Sequence, residues 1–364
     1  MTAIYNSTID VDEDTGITSP NFLQRFARQY WSIHGYLSLV VCTFGILTNI
    51  VNIIILTEKS MRTSINCILT GIAISDILTM MSYMPFAIHF YIEHSLVVTP
   101  EKYTYGWVTF LVFHINITTT THTISIWLAV FLAILRYTFI LSKGRGERIP
   151  NTQNTTLIVC LIYALSSIFN IPHYLTNRVV VRPQDEFNET IYGLGDVGIG
   201  NKDSRPTTLA LINFWSYAII GKLLPCVLIT IFGGLLLHTL QETKERTKIL
   251  RSSSVEQRVR QHSRTTRMLL AIIVLFLITE LPQGILIVIS GIVDGFFLNV
   301  YILLGDVMDI IALVNNAINF LFYCTMSQHF RNSFVDLLRS SLKACFRYSF
   351  RSDEIGKSTS ASMV

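Results

Sequence analysis

Apolar residues run along this chain in long, nearly continuous stretches, and the polar residues within them do not alternate with period two. A helix needs about 20 apolar residues to cross a bilayer. Seven stretches qualify, at about 31–57, 64–92, 105–141, 155–175, 207–239, 265–291 and 298–326. Without alternation a membrane barrel is disfavoured, so the pattern predicts an all-α membrane protein, a seven-transmembrane helix bundle. Several stretches exceed the bilayer thickness and are expected to tilt or project beyond it. Past the seventh, Phe330, Phe334, Leu337, Leu338 and Leu342 share a helical spacing with Arg331, Asp336 and Arg339. That predicts an amphipathic eighth helix on the membrane surface. The expected organisation is a tail over 1–30, a membrane domain over 31–326, and the amphipathic helix with a cytoplasmic tail over 327–364.

Composition agrees: charged residues make up 14% of the chain and mean hydropathy is +0.48, which places it in lipid, where a soluble chain would carry roughly 25% charge. The net charge of +4 gives nucleic acid no particular attraction. With the N-terminus outside, twenty Lys and Arg fall in inner segments and seven in outer ones, while Lys222 lies inside a helix. That bias favours an extracellular N-terminus and a cytoplasmic C-terminus in a multi-pass plasma-membrane protein. The sequons at Asn6 and Asn188 then lie outside as glycosylation candidates; those at Asn116 and Asn154 fall within a helix and on the inner side. No cleavable signal peptide is expected, because the first 30 residues carry acids and lack an apolar core. Among the six cysteines none falls in an outer connection and no Cys/His spacing reads as a zinc site; Cys345, beside Lys343 and Arg347, is a candidate for palmitoylation. In the long second outer connection, residues 178–182 have strand character and 183–185 are turn-like, suggesting a hairpin lid. Gly193, Gly195 and Gly198 match G-x-G-x-x-G but precede no helix, so a flexible loop is expected.

A charge at the centre of a membrane helix costs about 2.5–3.5 kcal/mol on insertion scales, so each is a functional candidate. Asp76 lies mid-way along the second stretch. Asn49, Ser125, Asn315, Asn316 and Asn319 lie at depths that let them join it in one polar network. Within it, Asp76, Ser125 and Asn315 are candidate ligands of an allosteric sodium ion; no other cofactor is expected. Lys222 and Glu280 precede Pro225 and Pro282 and suit mutual neutralisation, with Gln283 nearby. Asp306 and Asp309 share a face of the seventh helix and, with Glu93 and Asp294, predict an acidic outer mouth that favours a cationic ligand. His114, Asn116, Thr118, Thr119 and His122 line the third helix, and Tyr91, Trp107, Trp215 and Tyr301 are aromatic candidates for the rim.

Taken in order, these residues resemble the rhodopsin-like G-protein-coupled receptors over about 31–345. Gly45 through Asn49 resembles G-x-x-x-N, and Leu69 through Asp76 resembles the second-helix pattern ending in Ser-Asp. Leu135-Arg136-Tyr137 resembles D-R-Y, with Leu135 in place of the acid. Pro225 matches the fifth-helix proline, Thr279-Glu280-Leu281-Pro282 stands for C-W-x-P, and Asn319 through Tyr323 for N-P-x-x-Y. Leu111 stands where most of the family carries a cysteine that tethers the second outer connection. The variants Thr279 to Gly284, Leu135 to Tyr137 and Asn319-Phe320 resemble invertebrate FMRFamide-type and myosuppressin receptors. The resemblance implies a neuropeptide ligand ending in Arg-Phe-amide, and a carboxylate for its Arg among Glu280, Asp309 and Asp306. It also implies coupling to a heterotrimeric G protein, Gi/o favoured. Activation would run through Arg136, Tyr137, Tyr323 and a kink at Pro282, with raised basal activity expected from Leu135. Ser358, Thr359, Ser360 and Ser362 are candidate phosphorylation sites for arrestin recruitment.

Other classes fit less well. The seventh stretch has no Lys for a retinal Schiff base, and the helices show no internal repeat of a transporter. No H-E-x-x-H or nucleophile motif suggests an enzyme. No carboxylate in the outer half of the third helix awaits an amine, and an acidic mouth does not suit a lipid.

Overall fold

The computed structural model describes residues 22–94, 97–141, 150–182, 190–195, 207–250, 253–326 and 328–340. Asn6, Asn188, Cys345, the serines and threonine at 358–362, the turn at 183–185 and residues 196–198 lie outside them.

Each apolar stretch forms one helix. They are α1 (Phe22–Leu56), α2 (Ser64–Ala87, running on through Ile88–Glu93), α3 (Tyr105–Leu141) and α4 (Thr152–Phe169, then Ile171–Thr176). Next come α5 (Thr208–Ser216, Tyr217–Leu223 and Leu224–Leu250), α6 (Ser253–Ile292) and α7 (Phe297–Tyr301, then Ile302–Met326). Among the described residues these seven are long and apolar enough to cross a membrane. A further helix, α8, covers 328–340. α1 packs on α2 and α7, α2 on α3 and α4, α3 on α4 and α5, α5 on α6, and α6 on α7, which closes the bundle into a ring.

Helix ends differ from the apolar stretches in ways the residues explain. α1 begins at Phe22 rather than near residue 31, because Leu23, Ala27 and Tyr30 extend its apolar stripe and pack with Trp31 against Ile302 and Leu303 of α7. Arg25 and Arg28 on the same turns are exposed. Side-chain caps start three elements: Thr63, Asn151 and Thr207 accept from the backbone N–H of Asn66, Asn154 and Ala210, which meets donors that the first helical turn leaves free.

The outer surface is that of a membrane protein. On α4, Leu157, Leu161, Leu165 and Ile168 are 61, 49, 62 and 61% exposed, an apolar stripe at helical spacing that a water-soluble surface rarely carries. Polar side chains turn inward instead: Asn49, Asn52, Ser75, Asp76, Ser125, Asn315, Asn316 and Asn319 are all buried. Helix pairs approach closely where residues are small. A Cβ on Gly35 of α1 would stand 2.7 Å from Cβ of Tyr91 on α2.

Three π-helical turns lie on the same side of the bundle, at Ile88–Glu93, Tyr217–Leu223 and Phe297–Tyr301. Two adjoin prolines, Pro85 and Pro225. Pro225 has no N–H to give to the carbonyl of Gly221, within Tyr217–Leu223, so the helical ladder is broken there and a wider turn is accommodated.

That side also carries a hairpin of β1 (Val179–Arg182) and β2 (Ile191–Leu194), antiparallel, with Val179 opposite Leu194 and Arg182 opposite Ile191. Gly193 and Leu194 are therefore strand and not flexible loop, which corrects the expectation for that stretch. A Cβ on Gly193 would meet the Arg182 side chain across the ladder, which would have to move aside. The hairpin is held without a disulfide: the Tyr192 N–H donates to Tyr103 O at 3.0 Å, and Ile191 is buried in the cluster that includes Leu111. At the other end of the bundle, Phe330 of α8 packs on Tyr323 and Phe320 with ring centroids 5.4 and 5.9 Å apart. Arg331 donates to the carbonyls of Cys324 and Thr325 at 3.0 and 3.2 Å, capping the end of α7.

Candidate functional site

Toward the hairpin side, α5 and α6 meet through charge. Lys222 lies in the π-helical turn that precedes Pro225 and is fully buried. Its ammonium donates to Glu280 Oε2 at 2.8 Å and to Gln283 Oε1 at 2.7 Å, and it also contacts Nε2 of His122. His122 Nε2 in turn lies 2.8 Å from Glu280 Oε2. Three helices thus converge on one carboxylate oxygen, while Glu280 Oε1 is buried without a hydrogen-bond partner. An imidazole nitrogen either donates or accepts, so a single hydrogen on Nε2 satisfies one of its two contacts and leaves the other to repel. Thr118, one turn toward the hairpin on α3, donates to His114 O at 2.7 Å and keeps its lone pairs available.

The acids expected at one open mouth occupy three environments. Asp306 is not solvated: it is 1% exposed and its Oδ2 accepts from the Tyr91 hydroxyl at 2.7 Å. Glu93 and Asp294 are exposed at helix ends, and Asp309 is half-buried. The burial of Asp306 follows from its neighbours. His34 Nε2 lies 2.9 Å from Tyr83 Oη and its Nδ1 lies 3.1 Å from Tyr30 Oη, with the Tyr91 ring 4.8 Å away. This aromatic and imidazole cluster joins α1, α2 and α7 beside Asp306. Sequence reasoning did not single out His34, Tyr30 or Tyr83; a lone His in an otherwise apolar run was the available signal. Of the rim aromatics, Tyr91 is engaged with Asp306, Trp107 stacks on His89 at 3.6 Å, Trp215 meets Phe214 at 5.6 Å, and Tyr301 stacks on Phe297 at 5.4 Å.

A second polar centre lies deeper in the bundle. Asp76 Oδ1 accepts from Ser125 at 3.2 Å and Oδ2 accepts from Asn319 Nδ2 at 3.2 Å. Ser75 and Ser125 hydroxyls are 2.7 Å apart. Asn49 donates to Gly45 O and to Asn316 O, both at 2.9 Å. On α7 it is Asn319 that reaches Asp76, while Asn315 is buried one turn earlier. The carboxylate is met by neutral donors, and the nearby oxygens of Ser75 and Ser125 suit a hard monovalent cation. At the far end, Arg136 is buried with its Nε unpartnered and Leu135 is buried beside it in sequence. The Tyr137 ring faces Phe232 at 6.0 Å, and Tyr323 is buried against α8. Pro225 is buried, and Pro282 faces outward.

Residues 36–341 match the family model described as the serpentine type 7TM GPCR chemoreceptor Srw. The G-protein coupled receptor dmsr-1 of Caenorhabditis elegans is 30% identical, over 88% of this chain and 71% of that one. The FMRFamide receptor of Drosophila melanogaster is 23% identical, over 84% of this chain and 54% of that one. Squid rhodopsin shares the fold at a TM-score of 0.64 and 15% identity, covering 91% of this chain and 93% of that one.

Proposed function

Since the chain belongs to the Srw family of serpentine seven-transmembrane G-protein-coupled receptors, which are receptors and not enzymes, we propose that its ligand is an amidated neuropeptide ending in Arg-Phe-amide, of the FMRFamide or myosuppressin kind. The observation that carries this reading is the acidic face of α7, where Asp309 is half-buried three residues from buried Asp306. Two carboxylates on one face of a low-dielectric bundle attract a cation and discriminate against an anion. A guanidinium suits such a pair because its planar fork meets carboxylate oxygens bidentately. The similarity to an FMRFamide receptor points to the same ligand chemistry. Glu280 is already met by Lys222, so Asp309 is the first contact for the ligand's Arg and Glu280 the second.

The hairpin side faces the outside of the plasma membrane and α8 the cytoplasm, as the bias of Lys and Arg favours. Peptide entering from the hairpin side competes with Lys222 for Glu280 and alters the tie between α5 and α6. That shifts the population toward a packing in which α6 moves at its inner end about Pro282. Arg136, with an unpartnered Nε, and Tyr323 then reorganise to receive a heterotrimeric G protein of the Gi/o type. Arrestin binding follows phosphorylation of the serines and threonine near the C-terminus. Asp76 and Ser125, with Asn315, hold a sodium ion that stabilises the resting packing.

The test is G-protein activation in cells that display the receptor at their surface, against a panel of Arg-Phe-amide peptides and their free acids. Nanomolar responses lost with the free acids support the proposal. Silence across the panel overturns the ligand assignment.

A further inference from the structure

We propose that the hairpin-side end of α2 is a transition-metal site, formed by His89, Glu93 and His94 and suited to Zn²⁺. One ligand atom from each lies within 4.8 Å of the others. The backbone brings them together. In a regular α-helix, residues five apart point in different directions, but the π-helical turn Ile88–Glu93 follows an i to i+5 pattern and carries His94 over His89. Their ring centroids are 4.5 Å apart.

His89 is oriented as a metal ligand. Its Nε2 lies 3.1 Å from the carbonyl oxygen of Lys102. A carbonyl accepts and cannot donate, so Nε2 carries a hydrogen and Nδ1 of the neutral ring offers its lone pair. That lone pair faces Glu93 Oε2 at 3.3 Å. Two acceptors across such a gap need a positive charge between them, either a second ring proton or a metal ion. Ligating histidines characteristically donate their other N–H to a backbone carbonyl or carboxylate. Trp107 stacks on the His89 ring at 3.6 Å with the planes 9° apart, which fixes that orientation.

The third donor decides between proton and metal. A proton uses only the His89–Glu93 pair, whereas a metal also uses His94, whose ligand atom lies within 4.8 Å of the other two. A tetrahedral zinc with bonds of ~2.0–2.1 Å separates its donors by about 3.3 Å. The His89–Glu93 pair already has that spacing, and His94 needs only a side-chain adjustment, being half-buried at the end of the helix. Two imidazoles and one carboxylate select zinc over magnesium or calcium, and three protein donors leave a fourth position for water. Bound metal ties α2 to α3 through Trp107 and to the connection before α3 through the Lys102 carbonyl, beside the hairpin.

The test uses the full-length receptor in nanodiscs, with any purification tag removed, and follows thermal unfolding and zinc binding with ZnCl₂ or MgCl₂. Glu93→Gln and His94→Ala alter partly exposed groups and leave buried His89 in place. Zinc, and not magnesium, is expected to raise the unfolding midpoint through one saturable site. Each variant is expected to weaken that binding by about tenfold or more, the scale on which losing even an orienting partner acts. Equal zinc affinity in wild type and both variants, or a zinc effect no larger than that of magnesium, overturns the site. Neither readout depends on the peptide ligand.

Discussion

The ammonium of Lys222 lies 2.8 Å from Oε2 of Glu280, and both side chains are closed off from solvent. Each residue shortly precedes a proline, Pro225 or Pro282, and on α5 the charge sits in the π-helical turn Tyr217–Leu223. Removing one partner of a buried pair strands the other charge and costs about 3–5 kcal/mol, whereas replacing both by apolar groups is often neutral. Lys222→Met and Glu280→Leu are each expected to lower the thermal unfolding midpoint sharply, and the double variant is expected to recover most of it. Additive losses in the double variant would show that the two charges are not coupled.

Lys102 gives the receptor a pH dependence outside the membrane helices. Burial lowers its ammonium from 10.5 to about 8. Between those values the unfolded chain holds the proton and the folded chain does not, so stability rises with pH across that window. Below about 8 both states are protonated and the penalty of burying the charge is constant. The unfolding midpoint is expected to climb from pH 8 to 10 in the wild type. Lys102→Met is expected to flatten that slope and to be the more stable protein at pH 7.

Leu135 puts an apolar side chain where a carboxylate would restrain Arg136, whose Nε is buried and unpartnered. A charge-assisted bond is worth roughly 1.5–3 kcal/mol. Leu135→Asp is expected to lower ligand-independent signalling by on the order of tenfold, measured at matched surface expression. Unchanged basal signalling would mean that Arg136 is restrained by another contact.

How far this was legible in the sequence depends on the distance over which each feature is decided. The seven helices follow from apolar stretches, because lipid imposes one local rule on every residue in them. Lys222 and Glu280 stood out for the same reason: a charge in such a stretch needs a partner, and two of opposite sign were present. The burial of Asp306 was not legible, since its donor Tyr91 is 215 positions away and only packing brings it near. The sequence placed Asn315, Asn316 and Asn319 with Asp76, and of these Asn319 makes the bond; which turn faces the acid is set by tilt, which no local pattern fixes. Glu93 was read as part of the acidic mouth, but His89 and His94 were not singled out, because residues five apart converge only in a π-helical turn.

Asp76 is met by Ser125 and Asn319, which are neutral. If sodium binds there, it favours the resting packing and lowers agonist affinity. Raising sodium is expected to weaken agonist binding in the wild type and to leave Asp76→Asn unaffected, in a competition assay with potassium as the balancing salt. A sodium effect that survives Asp76→Asn would place the ion elsewhere.

The carboxylate of Asp309 is expected to meet the Arg of an Arg-Phe-amide ligand. The most direct measurement is a double-mutant cycle on agonist potency, pairing wild type and Asp309→Asn with a peptide carrying Arg or its neutral isostere citrulline. Either change alone is expected to cost about tenfold or more, and the second to add little once the first is made, the signature of two groups in contact. Losses that add across the cycle would contradict the contact and move the ligand's Arg to another carboxylate.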